Sequence, residues 1–398
     1  MKILFLTHSF PRFSGDAPGS FLLRLARGLA DEGVTVHVIA PSAPNLPLRE
    51  EIDGIRVERF RYAPSELETL AYTGNMAQDV KASWRARLAL LGYLGADLAK
   101  SVSARKEQRP DIVHAHWWFP SGLIGQGVKL LTGVPLVTTL HGTDVRMAKS
   151  ITASRSFFRR VLRGSSAVTT VSSWLASEVT ALAPASHPIV APMPVGTERF
   201  SPGGNREPSR LLFAGRLNEQ KGLEHLLKAI AAMERLTMLD VIGEGSDAQH
   251  LKQRASQLGI SDRVVWHGQL DQDALLKFYR SATAVVVPST DEGLGLVAAE
   301  ALLCEAPVVA FRSGGLTDVI QHGTTGVLVT PGNTAELARA LDSVLASPEH
   351  SAELGRAGRM FALSAFAPEA AARKYAEIYQ QVIANGARGT APGSFILP

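Results

Sequence analysis

Ala284-Val-Val-Val-Pro-Ser-Thr-Asp-Glu-Gly-Leu-Gly-Leu-Val-Ala-Ala-Glu-Ala-Leu302 reads as a strand, a glycine-bearing turn and a helix. The valine run favours an extended chain. Gly293 and Gly295 let a ligand approach the backbone closely. The unpaired N–H groups at the start of the following helix form an anion site. Glu292 falls on the turn and Glu300 on the second helical turn. Both are expected to point above the strand ends, where open α/β sheets bind ligands. A carboxylate accepts paired hydrogen bonds from neighbouring hydroxyls, so two of them suit a ribose and a hexose. A solvated helix face explains the glutamates poorly, because the residues flanking Glu300 are almost all apolar.

The same alternation extends in both directions. Lys2–Thr7, Val34–Ala40, Asp111–His116, Leu136–Leu140 and Ala167–Val171 are short apolar strands separated by helical patterns. Ser20 is expected to cap a helix over Phe21–Glu32, which Gly33 ends. The pattern restarts at Arg210–Ala214 and continues through Met238–Ile242, Val264–His267, Ala284–Pro288 and Pro307–Phe311. Continuous apolar strands alternating with helices predict α/β architecture, with parallel sheets covered on both faces. The Pro- and Gly-rich run 191–204 is the expected linker. Two Rossmann-like domains facing across a cleft are expected, over 1–190 and 200–366, with a tail at 386–398 lacking periodicity and expected to be flexible.

A length of 398 residues suits two domains. With 45% hydrophobic and 20% charged residues, the chain has enough apolar surface to exclude general disorder. A single cysteine, Cys304, excludes an internal disulfide and a four-cysteine zinc site. The apolar run Ile3–Leu6 is too short for a secretory leader and reads as a first strand, so a cytoplasmic location is expected. Gly293–Phe311 is interrupted by Glu300, Glu305 and Pro307, so it is not a membrane span. Charge is uneven. Residues 1–190 carry 22 Lys+Arg against 15 Asp+Glu, and residues 191–398 carry 19 against 22. The first half is therefore expected to face something anionic.

Phe213-Ala-Gly-Arg-Leu-Asn-Glu-Gln-Lys-Gly222 joins a strand to the helix that starts at Leu223. Lys221 at a helix N-terminus opposes the helix dipole. A bound diphosphate gives Lys221 a reason to be there. Arg216 offers the same anion a planar fork.

Together these segments resemble the family 4 glycosyltransferases. The matching residues are Gly215-Arg216…Lys221-Gly222, Glu292…Glu300, Pro307-Val-Val-Ala…Gly314-Gly315-Leu316 and Asp318…Gly323-Thr-Thr-Gly326. His114-Ala-His116, Thr139-Leu-His141-Gly-Thr-Asp144 and Pro194-Val-Gly196…Phe200 match in the first half. The resemblance covers roughly residues 1–385. It implies a retaining enzyme of the two-domain GT-B fold that moves a sugar from a UDP- or GDP-linked donor to an acceptor hydroxyl. Residues 1–190 would bind the acceptor and 200–366 the donor. A last helix, 367–385, would cross back to the first domain. Arg216 and Lys221 would hold the diphosphate, with Gly243 bordering the donor site. Glu300 would hold the ribose, and Glu292 with the backbone of Gly293, Leu294, Gly295 and Leu296 the sugar. His141 would lie near the reacting carbon on the acceptor side. Catalysis would fall to His141, Arg216, Lys221 and Glu292, with neither metal nor cofactor. Synthesis of a cell-surface polysaccharide or glycolipid, on a sugar or lipid-linked acceptor, is the implied setting. The family's glycine pair is replaced here by Gly15-Asp-Ala-Pro-Gly19, which leaves the phosphate role of Gly15 and Gly19 open.

Weaker signals have plainer readings. Gly243-Glu-Gly-Ser-Asp-Ala248 matches a dinucleotide pattern but lies on the second strand of its sheet. Asp271-Gln-Asp273 reads as a helix cap and not as a metal site. His114 and His116 share one side of a strand, with no third ligand in view, and read as a packed or hydrogen-bonded pair. The stretches 81–109 and 146–163 are basic with interleaved aromatic and leucine residues, and suit an anionic membrane surface. No motif for nucleic acid accompanies that charge. A sugar-nucleotide 2-epimerase and a non-catalytic nucleotide-sugar binder are the competing readings.

Overall fold

The computed structural model describes residues 1–72 and 76–388. The chain forms two compact units, Met1–Pro194 with the segment from Pro368, and Val195–Ala367.

The first unit holds eight strands: β1 (Lys2–Leu6), β2 (Thr35–Pro41), β3 (Arg49–Ile52), β4 (Ile55–Phe60), β5 (Ile112–His116), β6 (Leu136–Leu140), β7 (Ala167–Thr170) and β8 (Ile189–Val190). Their order is β3-β4-β2-β1-β5-β6-β7-β8. All pair in parallel except β3 with β4, which form an antiparallel hairpin. Every residue of β5 and β6 is buried, as strands covered on both faces require. The final helix, Pro368–Arg388, packs on the helix Ser20–Asp31. Gly28 permits this approach, since a Cβ there would lie 2.9 Å from the Pro368 carbonyl oxygen.

The second unit holds β9 (Arg210–Ala214), β10 (Met238–Ile242), β11 (Val264–Gly268), β12 (Ala284–Val287), β13 (Val308–Phe311) and β14 (Val327–Val329). All are parallel, in the order β11-β10-β9-β12-β13-β14. Leu211, Phe213, Leu239, Val241, Val286 and Val309 join the core of this unit.

Each sheet reverses its strand order once. In the first unit the reversal lies between β1 and β5, and in the second between β9 and β12. Such switch points leave a crevice outside the carboxyl ends of the strands. The loops that follow these strands are where the candidate residues fall.

Several expectations need correction. Ser20 is the first helical residue and not the cap. Gly19 holds that position with φ 72°, and no side chain caps the helix. The charged hairpin β3–β4 and the short β8 and β14 are additional strands. The final helix continues through residues 386–388, where a flexible tail was expected. The remainder of that expected tail, 389–398, lies outside the described residues.

Candidate functional site

In the second unit, the loop after β9 carries Arg216 and Lys221 and the loop after β12 carries Glu292. Lys221 ends a single 3-10 turn, Glu219–Lys221, which Asn218 caps through its side-chain oxygen. Gly222 then turns the chain with φ 68°. A Cβ there would stand 2.0 Å from the Pro288 carbonyl oxygen, so glycine alone lets the two loops touch. This contact brings Lys221 Nζ within 2.6 Å of Glu292 Oε2. Lys221 therefore has a local partner, contrary to the expectation that only a bound anion explains it. Arg216 is exposed, and its guanidinium makes no ion pair among the described residues.

Glu292 is half-buried, and Gly293, Leu294 and Gly295 follow it into the helix Leu296–Leu303. Gly314 and Gly315 press on this turn. The Gly315 N–H donates to the Glu292 carbonyl at 2.7 Å. A Cβ on Gly315 would stand 2.3 Å from the Gly293 carbonyl oxygen. The paired glycines thus seat the turn on the next loop. Glu300 is buried at 9% exposure and accepts a hydrogen bond from the Tyr279 hydroxyl at 3.0 Å. Burial, together with the Glu300 carboxylate, pushes the Tyr279 phenol well above its ordinary pKa. Gly243 and Gly245 pack against the loop after β9. Cβ atoms there would stand 1.9 Å from the Gly215 carbonyl oxygen and 2.2 Å from that of Leu217. Loop packing therefore accounts for the dinucleotide-like spacing. Asp271 caps the helix Gln272–Ser281 by accepting from the Ala274 N–H at 2.8 Å.

In the first unit, His8, His116, Trp117 and His141 gather at the ends of β1, β5 and β6. Trp117 packs against both His141 and His8 in tilted ring contacts, with centroids 4.3 and 4.2 Å apart. His116 Nδ1 lies 3.2 Å from His141 Nε2. His114 is held on both nitrogens, by Tyr379 Oη and by Thr139 Oγ1, each at 2.7 Å. Burial depresses all four histidines, His8 to about 4, His114 to about 3, and His116 and His141 well below the ordinary value. They are neutral at pH 7. Asp144 braces the turn after β6. Its Oδ1 accepts the N–H groups of His141, Gly142 and Val145 at 3.1, 2.9 and 3.0 Å. Burial raises the Asp144 carboxyl to about 6 although these donors oppose the shift.

The loop after β1 is fixed by Arg12, whose guanidinium grips Asp16 at 2.7 and 2.9 Å. A Cβ on Gly19 would lie 2.5 Å from the Ser9 carbonyl oxygen, whereas one on Gly15 would meet nothing. Gly19 is therefore a packing residue. Among the described residues no group of three or more His, Cys, Asp or Glu could hold a metal.

Known proteins resemble this chain over both of its units. Residues 195–361 match the model for glycosyl transferases group 1, and residues 17–195 match the glycosyl transferase 4-like domain. An uncharacterised glycosyltransferase of Methanocaldococcus jannaschii is 30% identical, with 86% of this chain and 89% of that protein aligned. The chain belongs to the family 4 glycosyltransferases. Sucrose-phosphate synthase from Thermosynechococcus elongatus superposes with a TM-score of 0.81 at 24% identity, covering 96% of this chain and 99% of that one. Anabaena HepE, solved in complex with UDP-glucose, gives 0.72 at 20% identity, covering 96% and 100%. The glycosyltransferase therefore has the GT-B fold, built here from two parallel-sheet units.

Three features of this glycosyltransferase were not evident from its sequence. Tyr279 reaches Glu300 from 21 positions away. Tyr375 and Tyr379 come from the last helix to meet Thr139 and His114. Arg12 grips Asp16 and so fixes the loop after β1. A signal existed for the tyrosines, whose i, i+4 spacing places them on one helix face.

Proposed function

We propose that this glycosyltransferase is a retaining, metal-independent hexosyltransferase using a UDP- or GDP-linked donor. The Lys221–Glu292 pair at a switch point, beside the exposed Arg216, carries the reading. Residues 195–367 bind the donor. The diphosphate takes Lys221 and Arg216, which frees Glu292 to accept hydroxyls of the sugar together with the backbone of Gly293–Leu296. Glu300 holds the ribose. As the glycosidic bond breaks, charge grows on the leaving diphosphate, and the two cations stabilise it most in the transition state. The acceptor attacks the face from which the diphosphate departs. Residues 1–194 bind the acceptor, with His141 as a substrate contact.

HepE is described with UDP-glucose bound, which makes that the first donor to try. The acceptor is a sugar or a lipid-linked sugar in polysaccharide or glycolipid synthesis at the cytoplasmic membrane face. The helix Trp84–Gln108 supports this setting. It exposes Trp84, Leu88 and Leu91, at i, i+4 and i+7, beside Lys81, Arg85 and Arg87. No described helix is long and apolar enough to cross a membrane, so contact would be peripheral.

Incubation with labelled UDP- and GDP-hexoses tests the reading. Transfer to an added sugar or lipid acceptor, or slow release of free hexose, is expected. An epimerised donor would identify a 2-epimerase, and a donor bound but never changed would identify a sensor.

A further inference from the structure

We propose that His116 is a positioning residue that fixes His141 in the tautomer with its proton on Nδ1, making His141 a hydrogen-bond donor to substrate and not a base. This rests on the reading of His141 as a substrate contact.

One proton must lie between His116 Nδ1 and His141 Nε2, which are 3.2 Å apart. Two arrangements satisfy that contact. If His141 donates, His116 accepts at Nδ1 and carries its own proton on Nε2. That nitrogen is buried and has no hydrogen-bond partner. The arrangement therefore buries an N–H without an acceptor. If His116 donates, its Nε2 keeps only a bare lone pair. Orphaned buried N–H groups are rarer in proteins than under-satisfied acceptors, so the second arrangement prevails.

The surroundings prevent His116 from escaping this choice. It is fully buried, with the Phe5 ring edge-on at 4.8 Å and the His114 ring at 4.1 Å. His114 cannot help, because both of its nitrogens are engaged. Protonation of either histidine is opposed by burial and by the neighbouring imidazoles.

His141 then accepts at Nε2, and a neutral imidazole with one nitrogen accepting carries its proton on the other. Nδ1 has no hydrogen-bond partner among the described residues, and His141 is only half-buried. Trp117 against its ring and Asp144 on its backbone N–H hold the residue in place. The free nitrogen is thus a fixed N–H, suited to a hydroxyl or ether oxygen of a sugar. It cannot take a proton from an attacking hydroxyl.

Long-range proton–nitrogen NMR on the ¹⁵N-histidine-labelled full chain reads the tautomer directly, with His141 assigned by its loss in His141→Gln. The expected spectrum shows His141 protonated at Nδ1 and bare at Nε2. His116→Phe removes the donor and should release the tautomer. It should also lower kcat roughly tenfold to a hundredfold, the scale on which one orienting hydrogen bond is lost, with donor KM little changed. His116→Asn places an amide N–H near the lost Nδ1–H and should restore most of kcat. A proton on Nε2 of wild-type His141 would overturn the lock, as would full kcat and an unchanged tautomer in His116→Phe. The tautomer is read without substrate, so it is independent of the functional reading. That reading fails separately if His141→Ala transfers sugar at the wild-type rate.

Discussion

Lys221 and Arg216 share the loop after β9 but differ in their surroundings, and that difference separates function from stability. Both are proposed to stabilise the leaving diphosphate, so Lys221→Ala and Arg216→Ala should each lower kcat/KM by roughly 10²–10³-fold. Arg216 is exposed, and its loss should change stability by less than about 0.5 kcal/mol. Lys221 is half-buried against Glu292, so Lys221→Ala should destabilise by about 1 kcal/mol, measured by urea unfolding. Wild-type turnover in folded Lys221→Ala would remove the basis for its role. Tyr279 tests the ribose contact. In Tyr279→Phe the Glu300 carboxylate loses a donor, and UDP should bind roughly tenfold more weakly, about 1.4 kcal/mol, with kcat nearly unchanged. Calorimetric titration showing an unaltered Kd would separate Glu300 from the nucleotide. At this scale the motif residues were legible because spacing along the chain reveals them. Their partners were not, since Tyr279 and Lys221 reach Glu300 and Glu292 only through the fold.

The helix Trp84–Gln108 buries one unusual group. Asp97 is 1% exposed, and the Ser101 hydroxyl donates to its Oδ1 at 3.0 Å. Burial raises its carboxyl to about 7. Its folded pKa therefore lies above its unfolded value, so it ionises more readily in the unfolded chain. The stability it confers is complete below pH 4 and is lost as pH rises towards 7, at about 1.4 kcal/mol per unit of pH in that window. Asp97→Asn should remove this loss, and its urea midpoint should gain on wild type between pH 4.5 and 8. Parallel midpoints would show that Asp97 does not titrate there.

The opposite face of the same helix carries the test of the proposed membrane contact. Trp84, Leu88 and Leu91 are 66, 57 and 66% exposed, more than a solvated helix needs to leave apolar. The protein should sediment with anionic vesicles at low salt and be released at high salt, and Trp84→Ser with Leu91→Ser should weaken the binding. Equal recovery on neutral vesicles, or none on either, would exclude an anionic lipid surface. Strands of continuous apolar residues, such as β5 and β6, were readable from sequence. The hairpin β3–β4 was hidden because Arg49-Glu-Glu-Ile52 and Ile55-Arg-Val-Glu-Arg-Phe60 are highly charged. Its turn, Asp53-Gly54 with φ 48° and 82°, was the available signal.

Across the whole molecule, the restart of the strand–helix pattern after residue 200 was enough to read two Rossmann-like units. Sequence order alone does not reveal that the helix Pro368–Arg388 completes the first unit. That depends on Gly28, Ala372, Tyr375 and Tyr379, whose contacts join residues more than 200 positions apart. The reaction proposed for the molecule makes two demands together: protein cations in place of a metal ion, and departure and attack on one face of the sugar. Both can be read in a single experiment. Proton NMR can follow the anomeric region while the enzyme consumes UDP-glucose, or the donor found in the screen, in excess chelator. The first product signal should carry the donor's anomeric configuration, at a rate unaffected by the chelator. A first product of opposite configuration, or turnover that stops until Mg²⁺ or Mn²⁺ is restored, would contradict retaining, metal-independent transfer.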